Sequence, residues 1–190
     1  MLLSIKKRQR YLKTLGYYKG EIDGRAGKLT KAAYKALQDD YFTREEDRDG
    51  VYGKDTEKLL LNAYNVKTYT KNFKLEEFKC KCKGKHCTGY PEVLDINLLK
   101  NLQSLRDRYG SINISSGLRC KKHNSAVGGS LTSRHKRGKA ADIHNSITNT
   151  LSGRKKIMAS WKTLPRQRYT YCNENGSYPN MGSAVHVDVR

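Results

Sequence analysis

The chain has 190 residues, with 38 Lys or Arg against 18 Asp or Glu and a formal net charge of +20. Such a length allows one domain or two small ones, and the charge calls for polyanionic partners without choosing between nucleic acid and anionic wall polymers. No run approaches the ~18 consecutive apolar residues of a membrane span, and Met1-Leu2-Leu3-Ser4-Ile5-Lys6-Lys7 is too short an apolar start for a secretory signal, so synthesis in the cytoplasm without membrane insertion is expected.

Residues 4–16 carry Ile5, Leu12 and Leu15 at helical spacing, and Gly16 is placed to end that helix. A short extended segment, 17–22, follows. Asp23-Gly24-Arg25-Ala26-Gly27-Lys28-Leu29-Thr30 then predicts a turn with Thr30 capping a helix over 31–37. The pattern Asp-Gly-x-x-Gly-x-x-Thr returns at Asp49-Gly50-Val51-Tyr52-Gly53-Lys54-Asp55-Thr56, ahead of a helix over 57–64. A turn used twice before helices points to a small helical domain with an internal repeat, residues 1–66. Residues 67–72 lack helical period and read as a linker to a second domain, 73–190.

Five cysteines, an odd number, argue against a complete disulfide framework. Cys80, Cys82 and Cys87 lie close together with His86 among them, whereas Cys120 and Cys172 are remote. The close group can supply thiolates to a structural zinc with Cys120 or His86 as fourth ligand, serve as small buried residues, or form one disulfide after release from the cell. Its tight spacing is not a zinc-ribbon pattern and favours no second metal. Leu94, Leu98, Leu102, Leu105 and Tyr109 make an amphipathic helix over 92–109 that stops at Gly110. Residues 112–116 and 184–189 alternate like strands, so the second domain is expected to be α+β with an antiparallel sheet.

Between those strands lies Ser133-Arg134-His135-Lys136-Arg137-Gly138-Lys139-Ala140-Ala141-Asp142, and the last strand carries His186-Val187-Asp188. His135, Asp142 and His186 make the three-ligand set of a catalytic zinc site, which keeps a fourth position for water. Gly138 permits a sharp turn between the first two ligands, Ala140 leaves room for neighbouring chain, and Ser133 is a candidate to bond the loop or a ligand's outer face. Strand alternation puts His186 and Asp188 on one face. His186 is then the third ligand, with Asp188 orienting a ligand or acting as general base; the reverse, Asp188 on the metal and His186 as acid/base, stays open.

The spacing Ser-x-His-x-x-Gly-x-Ala-x-Asp, the preceding Ser116-Gly117-Leu118-Arg119, His123-Asn124 and Val127-Gly128-Gly129, and the terminal His186-Val187-Asp188-Val189 resemble the zinc D-alanyl-D-alanine carboxypeptidase-like peptidases. That group includes murein endopeptidases and phage endolysins, and the resemblance spans 73–190. Leu15-Gly16-Tyr17-Tyr18, the first Asp-Gly turn and Ala36-Leu37-Gln38 resemble the peptidoglycan-binding domain carried by many wall hydrolases. Arg8 departs from it, standing where an apolar residue is usual, and the stretch after Gln38 is unusually acidic.

These resemblances imply a Zn2+-dependent peptidoglycan hydrolase cutting stem-peptide bonds as endopeptidase or carboxypeptidase. Arg119 would stabilise the developing oxyanion or hold a substrate carboxylate, with Ser133 beside it on the substrate side. Other branches carry a carboxylate three residues before the last ligand or a histidine two before it; Ser183 and Ala184 stand there, and neither is a good base. A monomer that binds peptidoglycan and anionic wall polymers is expected, reaching the wall through a holin or lysis. The alternatives are a non-catalytic zinc-containing wall-binding protein and a metal-dependent nuclease, though no recognised nucleic-acid motif supports specific nucleic-acid binding.

Overall fold

Helix α1 (Ile5–Leu15) stops where Gly16 adopts φ +93° and the N–H groups of Gly16 and Tyr17 turn back onto the carbonyls of Lys13 and Leu12. The computed structural model describes residues 2–190; Met1, the first residue of the expected domain 1–66, lies outside them. Helices α2 (Lys28–Tyr41) and α3 (Lys54–Tyr69) begin earlier than their hydrophobic patterns predict, with Gly27 and Gly53 at the N-caps. Thr30 and Thr56 therefore sit in the first turn rather than at the cap, and their hydroxyls donate back to the carbonyls of Arg25 and Val51.

The internal repeat extends to its hydrogen bonds. Gln9 Nε2 donates to Asp23 Oδ1 (2.7 Å), the Arg25 carbonyl and Thr30 Oγ1, while Gln9 Oε1 accepts from Gly24 N–H. Gln38 does the same with Asp49 Oδ1 (3.0 Å), the Val51 carbonyl, Thr56 Oγ1 and Gly50 N–H. Each buried amide thus satisfies one Asp-Gly turn and pins it to the helix before it. Arg8 keeps its exceptional place by laying its guanidinium over the Tyr52 ring, 3.9 Å from the centroid, and donating to the Leu3 carbonyl. In the acidic stretch, Asp39 pairs with Lys35, Asp40 accepts from Tyr17 and Asp47 pairs with Arg44.

The expected linker is partly helical, because α3 runs on to Tyr69. Its remainder is tied down as Lys71 N–H donates to Gln103 Oε1. Asn62 on α3 donates to the Glu92 carbonyl and accepts from Leu94 N–H, and one continuous apolar core runs from Leu12 to Val189. The two units are packed together, which offsets the marginal core each half has by itself.

Beyond the linker come α4 (Ile96–Tyr109), β1 (Asn113–Ser116), α5 (Lys121–Ala126), β2 (Ala140–His144), α6 (Leu151–Lys162), β3 (Gln167–Cys172) and β4 (Val185–Val189). Helix α4 starts later than residue 92: Asp95 is its N-cap, accepting from Asn97 N–H, and Leu94 is buried in the non-helical chain before it. The four strands form one antiparallel sheet in the order β1-β2-β4-β3. This is the expected α+β architecture, with α6 packed on the sheet through buried Trp161, whose Nε1–H donates to the Asp188 carbonyl. Among the described residues no helix is long and apolar enough to cross a membrane.

Candidate metal centre

The sheet register builds most of the centre. Asp142 lies in strand β2 directly opposite His186 in β4, so two central strands place a carboxylate and an imidazole side by side. His135 comes from the 3-10 turn Arg134–Arg137 just before β2. Gly138 ends that turn at φ +65°, and its carbonyl accepts from Asp95 N–H at the start of α4, fixing the loop against the helical layer.

His135 Nε2 is 3.3 Å and His186 Nδ1 2.8 Å from the same oxygen, Asp142 Oδ1. The outer nitrogens are already engaged: His135 Nδ1–H donates to the Gly117 carbonyl at 2.8 Å, and His186 Nε2 faces Asp188 Oδ2 at 3.4 Å. With those protons on the outer side, each inner nitrogen presents a lone pair to a carboxylate oxygen, which also only accepts. A positive species belongs between them, either a second proton or a metal ion. Two imidazole nitrogens and a carboxylate oxygen suit zinc better than the oxygen-preferring magnesium or calcium, and a carbonyl or carboxylate behind each imidazole is how metal-bound histidines are oriented. The residues fit a zinc ion.

Burial pushes His135 below the ordinary histidine value. For His186 burial acts the same way, but hydrogen bonds to Asp142 and Asp188 outweigh it and hold the group above that value. Burial would raise Asp142, yet the hydrogen bonds and charge of both imidazoles overcome it and keep the carboxyl well below the usual carboxylate range. Asp142 is thus an anion and His135 a neutral donor, the states a metal requires.

Arg119 spends Nε on Ser116 Oγ (2.7 Å) and Nη2 on Asp142 Oδ2 (2.5 Å), so it clamps the carboxylate oxygen that faces away from the imidazoles. Asp188 is 4 % exposed and lies behind His186, with Oδ1 accepting from Tyr169 N–H. Ser133 sits at the edge of the His135 turn, where its N–H donates to the Ser130 carbonyl, and the outer face of His135 belongs to Gly117 instead. Two further participants escaped the sequence reading. Gly117, within the Ser116-Gly117-Leu118-Arg119 block, contributes only its carbonyl, a role that no residue type announces. Tyr171, opposite His186 in the β3–β4 register, stacks on that imidazole with ring centroids 4.4 Å apart. In Gln167-Arg168-Tyr169-Thr170-Tyr171-Cys172 the alternation of Tyr169 and Tyr171 with Arg168 and Thr170 is a short strand signal that points to Tyr171.

A cavity of about 720 Å³ opens beside the centre, between the helical unit and the sheet domain. It reaches Arg119 but not His135, Asp142 or His186, and Arg44, Lys58, Lys121, Lys122 and Lys136 line it against Asp55 and Glu92. Its surplus of cations favours an anionic occupant.

Fold and centre together define a sheet-borne cluster of candidate metal ligands, carried by β2, β4 and the turn just before β2. The chain belongs to the peptidase M15 family, whose model matches residues 71–188. The peptidoglycan-binding domain family matches residues 4–60, so a wall-binding module precedes the peptidase. No curated protein matches the chain. This pairing supports a peptidase that acts on peptidoglycan, and the expected order of domains is the observed one.

Proposed function

We propose that the chain is a zinc-dependent peptidoglycan hydrolase that cleaves stem-peptide bonds, in the manner of an endolysin. The observation that carries this reading is the convergence of His135, Asp142 and His186 on one point, with both outer imidazole nitrogens already held. Bound there, zinc supplies Lewis acidity that polarises a scissile carbonyl and acidifies water.

The protein's own residues do the remainder. His135, Asp142 and His186 hold the ion. Gly117 and Asp188 fix the two imidazoles, which assigns Asp188 a positioning role in place of the general base. Arg119 keeps the Asp142 carboxylate oriented and, because it also lines the basic cavity, links that carboxylate to the place where a substrate carboxylate would sit. Stem peptides bear carboxylates, and the cavity's cations fit them. The wall-binding unit keeps the peptidase near its polymer, raising effective concentration without tight binding at the centre.

The test is digestion of purified peptidoglycan by zinc-loaded protein and by His135→Ala, with new amino termini counted and fragments identified by mass. Defined fragments from the wild type alone would establish the peptidase and name the bond. Zinc-loaded protein that pulls down wall material yet cuts none of several wall types would make it a binding protein instead.

A further inference from the structure

Outside the peptidase centre, a second set of metal-ligating side chains is brought together. Cys80, Cys82 and Cys87 lie on the loop after the 3-10 turn Leu75–Phe78, and Cys120 is the N-cap of α5, beyond α4 and β1 in the chain. The loop is held to that distant segment by Leu118 N–H donating to the Phe78 carbonyl at 2.9 Å and closed on itself by Cys80 N–H donating to the Gly89 carbonyl at 2.8 Å. All four sulfurs lie within 4.8 Å of one another, forming a cluster separate from the apolar core.

The geometry discriminates among the uses of such a cluster. Zinc–thiolate bonds of about 2.3 Å place tetrahedral sulfurs about 3.8 Å apart. A disulfide needs about 2.05 Å, whereas the Cys82 and Cys87 sulfurs are 3.5 Å apart and all five cysteines are free. Four merely apolar fillers would not attract donors, yet Cys80 Sγ accepts from Cys120 N–H and Cys120 Sγ from His123 N–H, both at 3.4 Å. Four thiolates around one zinc ion carry a net charge of about −2, and Lys81, Lys83, Lys85, Lys121 and Lys122 surround the cluster on exposed positions. His86 is exposed and outside the set.

We propose that Cys80, Cys82, Cys87 and Cys120 hold a second, structural zinc ion at the wall of the basic cavity, its four positions filled by protein thiolates, that staples the 80–87 loop to the start of α5. Arg119 immediately precedes the last ligand and clamps Asp142, so the staple also fixes the approach of that guanidinium to the peptidase centre. Cys172 is buried elsewhere and takes no part.

Metal analysis of full-length protein purified under reducing conditions tests this. The wild type should hold two zinc ions per chain, and His135→Ala should retain one. After exchange with cobalt, both proteins should show the thiolate-to-cobalt charge-transfer absorption that an imidazole–carboxylate centre cannot give. Cys120→Ser should lose that absorption, and the wild-type spectrum serves by itself if this variant does not fold. One zinc per wild-type chain without the charge-transfer band, or folded His135→Ala free of zinc, would overturn the proposal. Because the readout is metal content and absorption, its failure is separate from a failure of the peptidase reading.

Discussion

Gly138→Ala tests how the metal loop is held. At φ +65° an alanine costs about 1–2 kcal/mol in backbone strain. A Cβ there would also lie 2.0 Å from the Val93 carbonyl oxygen and 2.7 Å from its carbon, which are backbone atoms and cannot swing aside as a side chain would. The 93–95 segment must retreat, and the Asp95 N–H to Gly138 carbonyl bond (2.9 Å) is lost with it, a further ~1–3 kcal/mol. The sum is about 2–5 kcal/mol, and at 2–4 °C per kcal/mol the melting temperature should fall by roughly 4–20 °C. Gly16→Ala is the matched control, with φ +93° but nothing within 4 Å of its Cβ, so it should lose only the strain, a few degrees. Calorimetric scans of both variants measure the difference, and chelator competition should show roughly tenfold or more weaker zinc binding for Gly138→Ala alone. Equal melting temperatures for the two variants, with zinc affinity unchanged in both, would refute the argument from close approach.

Asp188→Asn keeps the shape behind His186 but removes the charge; zinc affinity should drop by about 10–100-fold, whereas an unchanged competition titration would deny Asp188 its positioning role. Gln9→Ala and Gln38→Ala each strip the partners from one Asp-Gly turn, so urea unfolding should show similar losses of about 2–4 kcal/mol; a large loss in one and none in the other would mean the repeat is not energetically symmetric. Asn62→Ala leaves the Glu92 carbonyl and Leu94 N–H unpaired at the junction of the two units, again about 2–4 kcal/mol, and unfolding should remain one cooperative transition. Protons compete with a metal for imidazole. Since hydrogen bonds to Asp142 and Asp188 outweigh burial and hold metal-free His186 above the ordinary histidine value, zinc affinity at the peptidase centre should be full at alkaline pH and begin to fall, on acidification, at a higher pH than that value alone would give. An affinity that stays level until well below it would contradict the geometry around His186.

Local chemistry was legible without coordinates. Helical spacing and Gly16 located α1 because one apolar face and one left-handed residue are properties of neighbouring positions. The twofold Asp-Gly turn was readable for the same reason, as were His135, Asp142 and His186 from their ordered blocks and the alternation that puts His186 and Asp188 on one face of β4. Helix starts were misplaced at Thr30, Thr56 and residue 92, since caps depend on backbone bonds that apolar periodicity does not encode. Strand β3 is announced only by the pair Tyr169 and Tyr171, a pattern too short to stand out beside exposed Arg168 and the polar residues around it.

What the tertiary structure decided were pairings between distant positions. The sequence by itself determined which side chains can ligate a metal, and the register of β2 against β4 decided that Asp142 meets His186. Only the fold could show Arg119 clamping Asp142, Gly117 holding His135, or the two Gln amides each closing a turn. The cysteines make the point most directly: the spacing of Cys80, Cys82 and Cys87 spoke against a second metal, and Cys120 completes the set only after α4 and β1 bring it back. Ligand types are fixed by residue chemistry, but a coordination sphere is a set of distances in space, and long-range packing sets those distances.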